Sequence, residues 1–104
     1  MPYTQSKIQY NYVVKKRASL KIWSFYRHVA LKYRHTYLEE DLYRNVRRAV
    51  RSIYQIEDSL LRRKPTIQRW QGYHMAHAGN WYYAYTIDGD TITIRDACHQ
   101  QNMH

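Results

Sequence analysis

The chain has 104 residues, of which 44% are hydrophobic, so its length and composition fit one domain with one modest core. Its net charge of +9 favours a polyanionic partner, such as nucleic acid, an anionic membrane or an acidic protein. Cys98 is the single cysteine, which excludes an intramolecular disulfide and fits a reducing cytosol. No apolar run reaches the roughly 18 residues of a membrane span, and the N-terminal residues lack the apolar core of a signal peptide. We therefore expect a cytoplasmic protein without a membrane partner.

The first half of the chain predicts one strand followed by two helices. Residues Ile8 to Val14 alternate apolar and polar side chains, which is typical of a strand. From about Lys15 to Tyr37 the apolar residues recur every three or four positions, as on one face of a helix. A second helix begins at Glu39, where acidic residues favour a helix N-terminus, and its apolar face extends to Leu60 before Pro65 ends it. The short link between the helices indicates an antiparallel hairpin.

The second half predicts three strands, which are Ile67 to about Ala76, Trp81 to Ile87 and Thr91 to Ala97. Gly79 and Gly89 lie in the turns between them, and the Asp-Gly pair of the second turn is a strong hairpin signal. We expect these strands to form an antiparallel meander. The predicted architecture is one α+β domain over residues 1–104, with the order β-α-α-β-β-β and an N-terminal helical hairpin packed on a small antiparallel sheet.

One face of the second predicted helix is strongly basic. It carries four arginines at positions i, i+3, i+4 and i+7, which are Arg44, Arg47, Arg48 and Arg51. Three more cations follow the helix, namely Arg62, Arg63 and Lys64. Such a surface can bind RNA through phosphate contacts that do not depend on sequence, and the alternative is an ordinary solvated face. The absence of acidic residues from position 42 to 56 favours the first interpretation, because ordinary surfaces mix the two signs.

Tyrosine is unusually frequent, with 12 among the 104 residues. Four tyrosines of the predicted sheet alternate between its two faces: Tyr73, Tyr82, Tyr83 and Tyr85. We expect one face to pack on the helices. The other face, with Tyr73 as its RNA-binding candidate, could stack on bases, at about 1–3 kcal/mol per base.

Three motifs of the second half occur together in a known family. A Gly-x-aromatic turn at Gly79 leads into a strand that ends at Tyr85, an Asp-Gly-Asp hairpin follows at Gly89, and an Ile-x-Ile strand that ends at Ile94 precedes His99 by five residues. With the helical hairpin upstream, these motifs resemble the RelE/ParE toxin superfamily of bacterial type II toxin–antitoxin systems over nearly the whole chain. RelE-like and YoeB-like members cut mRNA on the ribosome, whereas ParE-like members act on DNA gyrase without the nuclease residues.

The chain departs from the RelE-like pattern at positions where that family carries its catalytic residues. His77 stands where RelE-like enzymes place an arginine, and Gln100 follows His99 where many members carry His-Arg. The late tyrosine of RelE-like tails is absent, and the tail from Cys98 to His104 is closer to YoeB-like tails. The histidine-bearing tail favours the RNA-cleaving branch, while the missing arginines favour the ParE-like branch.

The resemblance implies RNA cleavage without metal or cofactor, in which the 2′-OH of the substrate attacks the phosphate. Histidine titrates near neutral pH and is therefore a suitable proton-transfer group. His99, placed just past the last predicted strand, is our first candidate for the general acid, and His77 is the second candidate, as base or phosphate contact. Arg69 and Arg95, on the first and last strands of the meander, are candidates to clamp the phosphate. For each of these residues the alternative is an ordinary surface side chain.

The resemblance also implies the partners. They are a cognate antitoxin, which would wrap the basic surface, and mRNA together with the ribosome. The alternatives are ParE-like inhibition of gyrase by binding, or an inactive member that only binds its partner. We expect no metal site, because His74 and His77 would point to opposite faces of a strand and have no cysteine or acidic ligand nearby.

Overall fold

Two helices and a four-stranded sheet make up the computed structural model, which describes residues 10–56 and 67–102. The elements, in chain order, are β1 (Asn11–Val14), α1 (Lys16–Lys32), α2 (Glu39–Ile53), β2 (His74–Ala78), β3 (Trp81–Asp88) and β4 (Thr91–His99). Two short 3-10 turns accompany them, at Gln68–Trp70 and Gln100–Asn102. The predicted α+β class is confirmed. Among the described residues, no helix has both the length and the apolar composition that crossing a bilayer requires.

The sheet is mixed, with the strand order β1-β4-β3-β2. The pairs β2–β3 and β3–β4 are antiparallel, as the predicted meander requires. Strand β1 instead runs parallel to β4, from Asn11 opposite Thr91 to Val14 opposite Ile94. The expectation of a purely antiparallel sheet is therefore wrong. A tight turn imposes antiparallel pairing only on neighbouring strands, whereas β1 reaches β4 through a long connection that includes both helices, and such a connection permits a parallel pair.

Both helices are shorter than predicted. Helix α1 ends at Lys32 rather than Tyr37, because the chain turns at Tyr33, whose carbonyl accepts the N–H groups of Thr36 and Tyr37. Helix α2 begins at Glu39 as predicted, and the Asp41 carboxylate there accepts the N–H of Leu38 at 2.9 Å. It ends at Ile53. The predicted continuation to residues 57–60, and the predicted start of the first strand at residues 8 and 9, lie outside the described residues.

The segment before β2 is not a strand. Residues Gln68–Trp70 form a 3-10 turn, Gly72 adopts a positive φ of 92°, and β2 begins only at His74. The buried residues Ile67 and Trp70 are spaced by three, which is the period of a 3-10 turn and not of a strand. At the other end of the sheet, β4 extends two residues beyond the predicted end at Ala97 and includes His99.

Apolar side chains cover both faces of the sheet. The larger cluster joins the sheet to the two helices; its members include Ala18, Ile22, Val46, Ala49, Ile53, Ala76, Trp81, Tyr83, Tyr85, Ile92 and Ile94. The smaller cluster lies on the opposite face and contains Ile67, Trp70, Met75, Ala84 and Cys98, with Tyr82 packed against it. The segment from residue 67 to 73 therefore covers part of the face that we expected to be open for base stacking.

Candidate functional site

A cleft of about 330 Å³ lies between α1 and the C-terminal end of β4. Its lining residues are Lys21, Phe25, Arg69, Trp81, Ala97, Cys98, His99 and Asn102. Three consecutive residues of β4 contribute to it, so the cleft follows the edge of the strand rather than one face. This edge is accessible because β1 pairs with β4 only as far as Ile94, where Lys15 donates its N–H to the Ile94 carbonyl and α1 begins. The cleft therefore begins where β1 ends.

The Asp96 carboxylate is the electrostatic centre of this region. Asp96 is only 4% exposed, and its two oxygens accept the indole N–H of Trp70 and the backbone N–H of Ala97, each at 2.9 Å. A buried carboxylate is stable as an anion only when hydrogen bonds and opposite charges compensate it. The two N–H groups supply part of that compensation.

Three cations supply the rest of the compensation for Asp96. Arg17 Nε and Lys21 Nζ of α1 each lie 3.8 Å from a carboxylate oxygen, and Arg69 Nε of the 3-10 turn lies 4.0 Å away. These three side chains are between 44% and 69% exposed, so their charges are accessible to a ligand. Three positive charges around one negative charge leave the region with an excess positive charge. An anion such as a phosphate is the ligand that this excess favours.

A β-bulge gives Asp96 its orientation. Tyr85 pairs with Ile94 while Ala84 pairs with Asp96, so Arg95 is an extra residue on β4. Strict alternation would put Asp96 on the same face as Ile94, which packs on the helices. The bulge instead turns Asp96 toward Trp70 on the other face. Bulges are frequent next to functional sites, because they redirect side chains in this way.

His99 lines the cleft, but its environment differs from the prediction. It is the last residue of β4, opposite Trp81, and does not lie beyond the strand. Its ring stacks on Phe25 with centroids 4.0 Å apart and packs edge-on against Trp81 at 5.2 Å. Only 8% of the residue is exposed. His99 therefore ends β4 instead of following it, and its aromatic neighbours hold the ring against α1.

This packing determines the protonation state of His99. Burial disfavours the charged imidazolium and lowers the pKa of His99, so the ring is neutral at pH 7. The Nδ1 atom accepts the backbone N–H of Gln101 at 3.2 Å. The neutral ring therefore carries its proton on Nε2. A neutral imidazole is a weak proton donor, so this environment disfavours the role of general acid that the sequence predicts for His99.

The structure brings two of the four predicted catalytic residues together. Arg69 lines the same cleft as His99. The prediction placed Arg69 on a strand, but it lies in the 3-10 turn Gln68–Trp70. His77 is exposed, and its ring stacks on that of Tyr82, its partner on β3. Both rings lie on the sheet face that carries the smaller cluster. Arg95 donates from Nε to Thr86 Oγ1 at 3.2 Å and is not among the residues that line the cleft. His77 and Arg95 therefore do not share a site with His99.

The predicted RNA-binding residues are partly described. All four arginines of α2 are exposed, as predicted: Arg44, Arg47, Arg48 and Arg51. Arg44 pairs with Asp41 at 2.9 Å, so its charge is compensated. Tyr73 is 37% exposed and does not line the cleft. The remaining predicted cations, Arg62, Arg63 and Lys64, lie outside the described residues.

Sequence reasoning missed Lys21 and Asp96. In the sequence Lys21 looks like a polar position on an exposed helix face. The available signal is its spacing: Arg17, Lys21 and Phe25 recur at intervals of four and therefore lie along one side of α1. Asp96 gave no signal, because its burial depends on the bulge. Within the described part of the chain, no three His, Cys, Asp or Glu side chains gather as a metal ion would require.

The chain was compared with known proteins. No protein-family model matches it, and no curated protein matches it either.

Proposed function

We propose that this protein is the toxin of a type II toxin–antitoxin system, and that it cleaves mRNA on the ribosome in the cleft lined by Lys21, Arg69 and His99. The observation that carries the proposal is the convergence of two accessible cations and one histidine at the C-terminal end of β4. Metal-free cleavage of RNA requires these types of group. Cations must neutralise the phosphorane, and a side chain with a pKa near neutrality must move the proton. A cognate antitoxin would keep the toxin inactive until it is needed.

The reaction would follow the ordinary course of RNA transesterification. The 2′-oxygen attacks phosphorus, the bond from phosphorus to the 5′-oxygen breaks, and a 2′,3′-cyclic phosphate forms. Arg69 suits the non-bridging oxygens, because its planar guanidinium can donate two hydrogen bonds to a phosphate. Lys21 adds a second positive charge and can give a proton to the departing 5′-oxygen.

In this proposal His99 is the base and not the acid. A neutral imidazole can accept the proton of the 2′-OH, and burial keeps His99 neutral. The hydrogen bond from Gln101 keeps the ring proton on Nε2, so Nε2 can serve as the base only after the proton moves to Nδ1. That exchange breaks the bond from Gln101, which lies in the terminal 3-10 turn Gln100–Asn102.

A second candidate function is the ParE-like one, in which the protein inhibits DNA gyrase by binding and without catalysis. The observation that favours it is the position of His77 and Arg95, which lie away from the cleft. The packing of His99 between Phe25 and Trp81 also gives that residue a structural role. The same basic surface would serve a protein partner.

Primer extension on a reporter mRNA in a translating extract tests the proposal. We expect discrete cuts within translated codons when the protein is added, and none when ribosomes are removed. The new upstream ends should carry a 2′,3′-cyclic phosphate. An intact message at protein concentrations that arrest growth would contradict cleavage, and loss of gyrase supercoiling in a parallel assay would then support the second candidate.

A further inference from the structure

A second cleft lies between α2 and the turn that joins β2 to β3. Its volume is about 240 Å³, and one side of it is lined by Arg48 and Arg51 of α2 and by Gln55, two residues past the end of the helix. Gly79 and Asn80 of the turn line the other side. The turn lies close to the helix, because a Cβ atom added to Gly79 would stand 3.5 Å from Cβ of Ser52. Gly79 also has a positive φ of 61°, which other residues rarely adopt.

Hydrogen bonds hold the lining of this cleft in place. Trp81 donates its indole N–H to the Tyr26 hydroxyl at 3.1 Å, and both residues line the cleft. Below it, the Tyr83 hydroxyl and Ser52 Oγ both donate to the Ala49 carbonyl, at 2.8 Å and 2.6 Å. The cleft is therefore a preformed feature of the packed core and does not require movement of α2.

The two arginines of this cleft differ from Arg44 on the same helix. Arg44 is paired with Asp41, whereas no carboxylate of residues 10–56 or 67–102 lies within 4.0 Å of Arg48 or Arg51. Two neighbouring guanidinium groups that no carboxylate of these described residues compensates favour a ligand with negative charge. Gln55 and Asn80 add amide groups that can donate hydrogen bonds to the same ligand. A phosphodiester has the charge and the acceptor oxygens that fit this set.

The second cleft is adjacent to the first. Trp81 contributes to the lining of both clefts, so they lie on two sides of one residue. A wider groove along α1, of about 720 Å³, shares Lys21 and His99 with the first cleft and Tyr26 with the second. The basic side chains of the two clefts therefore line neighbouring depressions that have lining residues in common. A flexible single strand can follow such a path, whereas the phosphates of a duplex lie on a stiff convex surface.

We propose that the cleft of Arg48 and Arg51 binds a backbone phosphate of single-stranded RNA, next to the segment that occupies the first cleft. This inference concerns binding alone and does not require that the RNA be cleaved. On this proposal, Arg48 and Arg51 hold a specific phosphate, whereas Arg44 and Arg47 of the same helix add only general positive charge.

The test uses fluorescence anisotropy with a labelled single-stranded oligonucleotide that carries 2′-O-methyl groups. The full chain cannot cleave this probe, so the result is independent of the proposed catalysis. The double variant R48Q/R51Q is compared with R44Q/R47Q, which removes the same charge from the same helix. We expect R48Q/R51Q to bind about tenfold more weakly or worse, and R44Q/R47Q to lose threefold or less. The salt slope should fall by about 0.7 for each lost phosphate contact.

Three outcomes would overturn the inference. Equal losses in the two double variants would mean that the arginines act only as a general positive field. Binding of a duplex as tight as that of the single strand would contradict the choice of ligand, and displacement of the probe by equimolar oligoglutamate would indicate an acidic protein partner instead. Circular dichroism must show that R48Q/R51Q remains folded, and R48K/R51K, which keeps the charge, should recover part of the affinity if the cleft binds phosphate.

Discussion

His99 and Phe25 stack face to face, with ring centroids 4.0 Å apart and ring planes 9° apart. This contact joins the end of β4 to the middle of α1, and it removes the imidazole from water. The result is a histidine that is both packed and adjacent to the cations Lys21 and Arg69 of the cleft. Substitution of His99 therefore changes stability as well as any chemistry, and the two effects must be measured separately.

The first prediction concerns stability and pH. Burial lowers the pKa of His99 in the folded protein below the unfolded value of about 6.5. At a pH between the two pKa values, the unfolded chain therefore binds more protons than the folded chain does. The stabilisation is fully present above about pH 6.5 and is lost as the pH falls toward the folded-state pKa. We expect His99→Gln to reduce the dependence of the free energy of unfolding on pH between 7.5 and 5.5, measured by urea unfolding.

The exposed His77 is the matched control for this measurement. His77→Gln removes a histidine that is exposed on the other face of the sheet, so it should cost less in the free energy of unfolding at pH 7.5 than His99→Gln does. An equal pH dependence in wild type and His99→Gln would show that burial of His99 does not contribute to acid sensitivity.

The second prediction concerns the buried carboxylate of Asp96. Asp96→Asn keeps an oxygen that can accept the Trp70 indole N–H but removes the charge that Arg17, Lys21 and Arg69 share. We expect a loss of about 1–3 kcal/mol in the free energy of unfolding at low salt. The loss should shrink in high salt, because screening weakens the repulsion that the cations then exert on one another.

Asp88→Asn provides the control, because Asp88 is exposed at the end of β3, next to the hairpin turn. This variant should change the free energy of unfolding by less than about 0.5 kcal/mol. If Asp96→Asn is equally mild at low salt, Asp96 does not hold the cations in the manner described.

The third prediction concerns the hydroxyl of Tyr83. It donates to the Ala49 carbonyl at 2.8 Å and lies 2.9 Å from Ser52 Oγ, and burial raises the pKa of Tyr83, so the hydroxyl keeps its proton. Tyr83→Phe should cost about 0.5–1.5 kcal/mol in the free energy of unfolding. Tyr54→Phe, on an exposed tyrosine, should have almost no effect, and thermal unfolding of both variants measures the difference. A Tyr83→Phe variant as stable as the wild type would rule out a net contribution from this hydroxyl.

Local signals in the sequence were sufficient for the meander. The run Asp88-Gly89-Asp90 predicts a tight turn, and in the structure Gly89 and Asp90 form it, with Gly89 at a positive φ of 60° and Asp88 opposite Thr91. The parallel pairing of β1 with β4 joins residues about 80 positions apart, for which no local pattern exists. For the same reason the end of α1 was predicted one turn too late: the apolar spacing continues to Tyr37, but the chain leaves the helix at Tyr33 to reach α2.

The candidate site was predictable as individual residues and not as an arrangement. Arg69 and His99 were identified by their chemistry, and both line the cleft. Asp96 could not be identified, because a bulge at Arg95 decides which way it faces. Lys21 shares a spacing of four with Arg17, but that spacing alone does not show which part of the fold this side of α1 faces. The sheet face on which His77 lies depends on where β2 begins. The sequence predicted a start at Ile67, whereas β2 begins at His74.

The central claim, that the cleft cleaves RNA, is tested most directly by the cleavage rate of Lys21→Gln. Lys21 is half-exposed, so its loss should leave the fold intact while removing a charge next to the reacting phosphate. The rate is followed by primer extension on ribosome-bound mRNA, with Lys16→Gln as the control, because Lys16 lies on the same helix and does not line the cleft. We predict a rate about 100-fold below that of the wild type for Lys21→Gln, and a rate within threefold of it for Lys16→Gln. Equal rates for the two variants would contradict the assignment of the active site to this cleft.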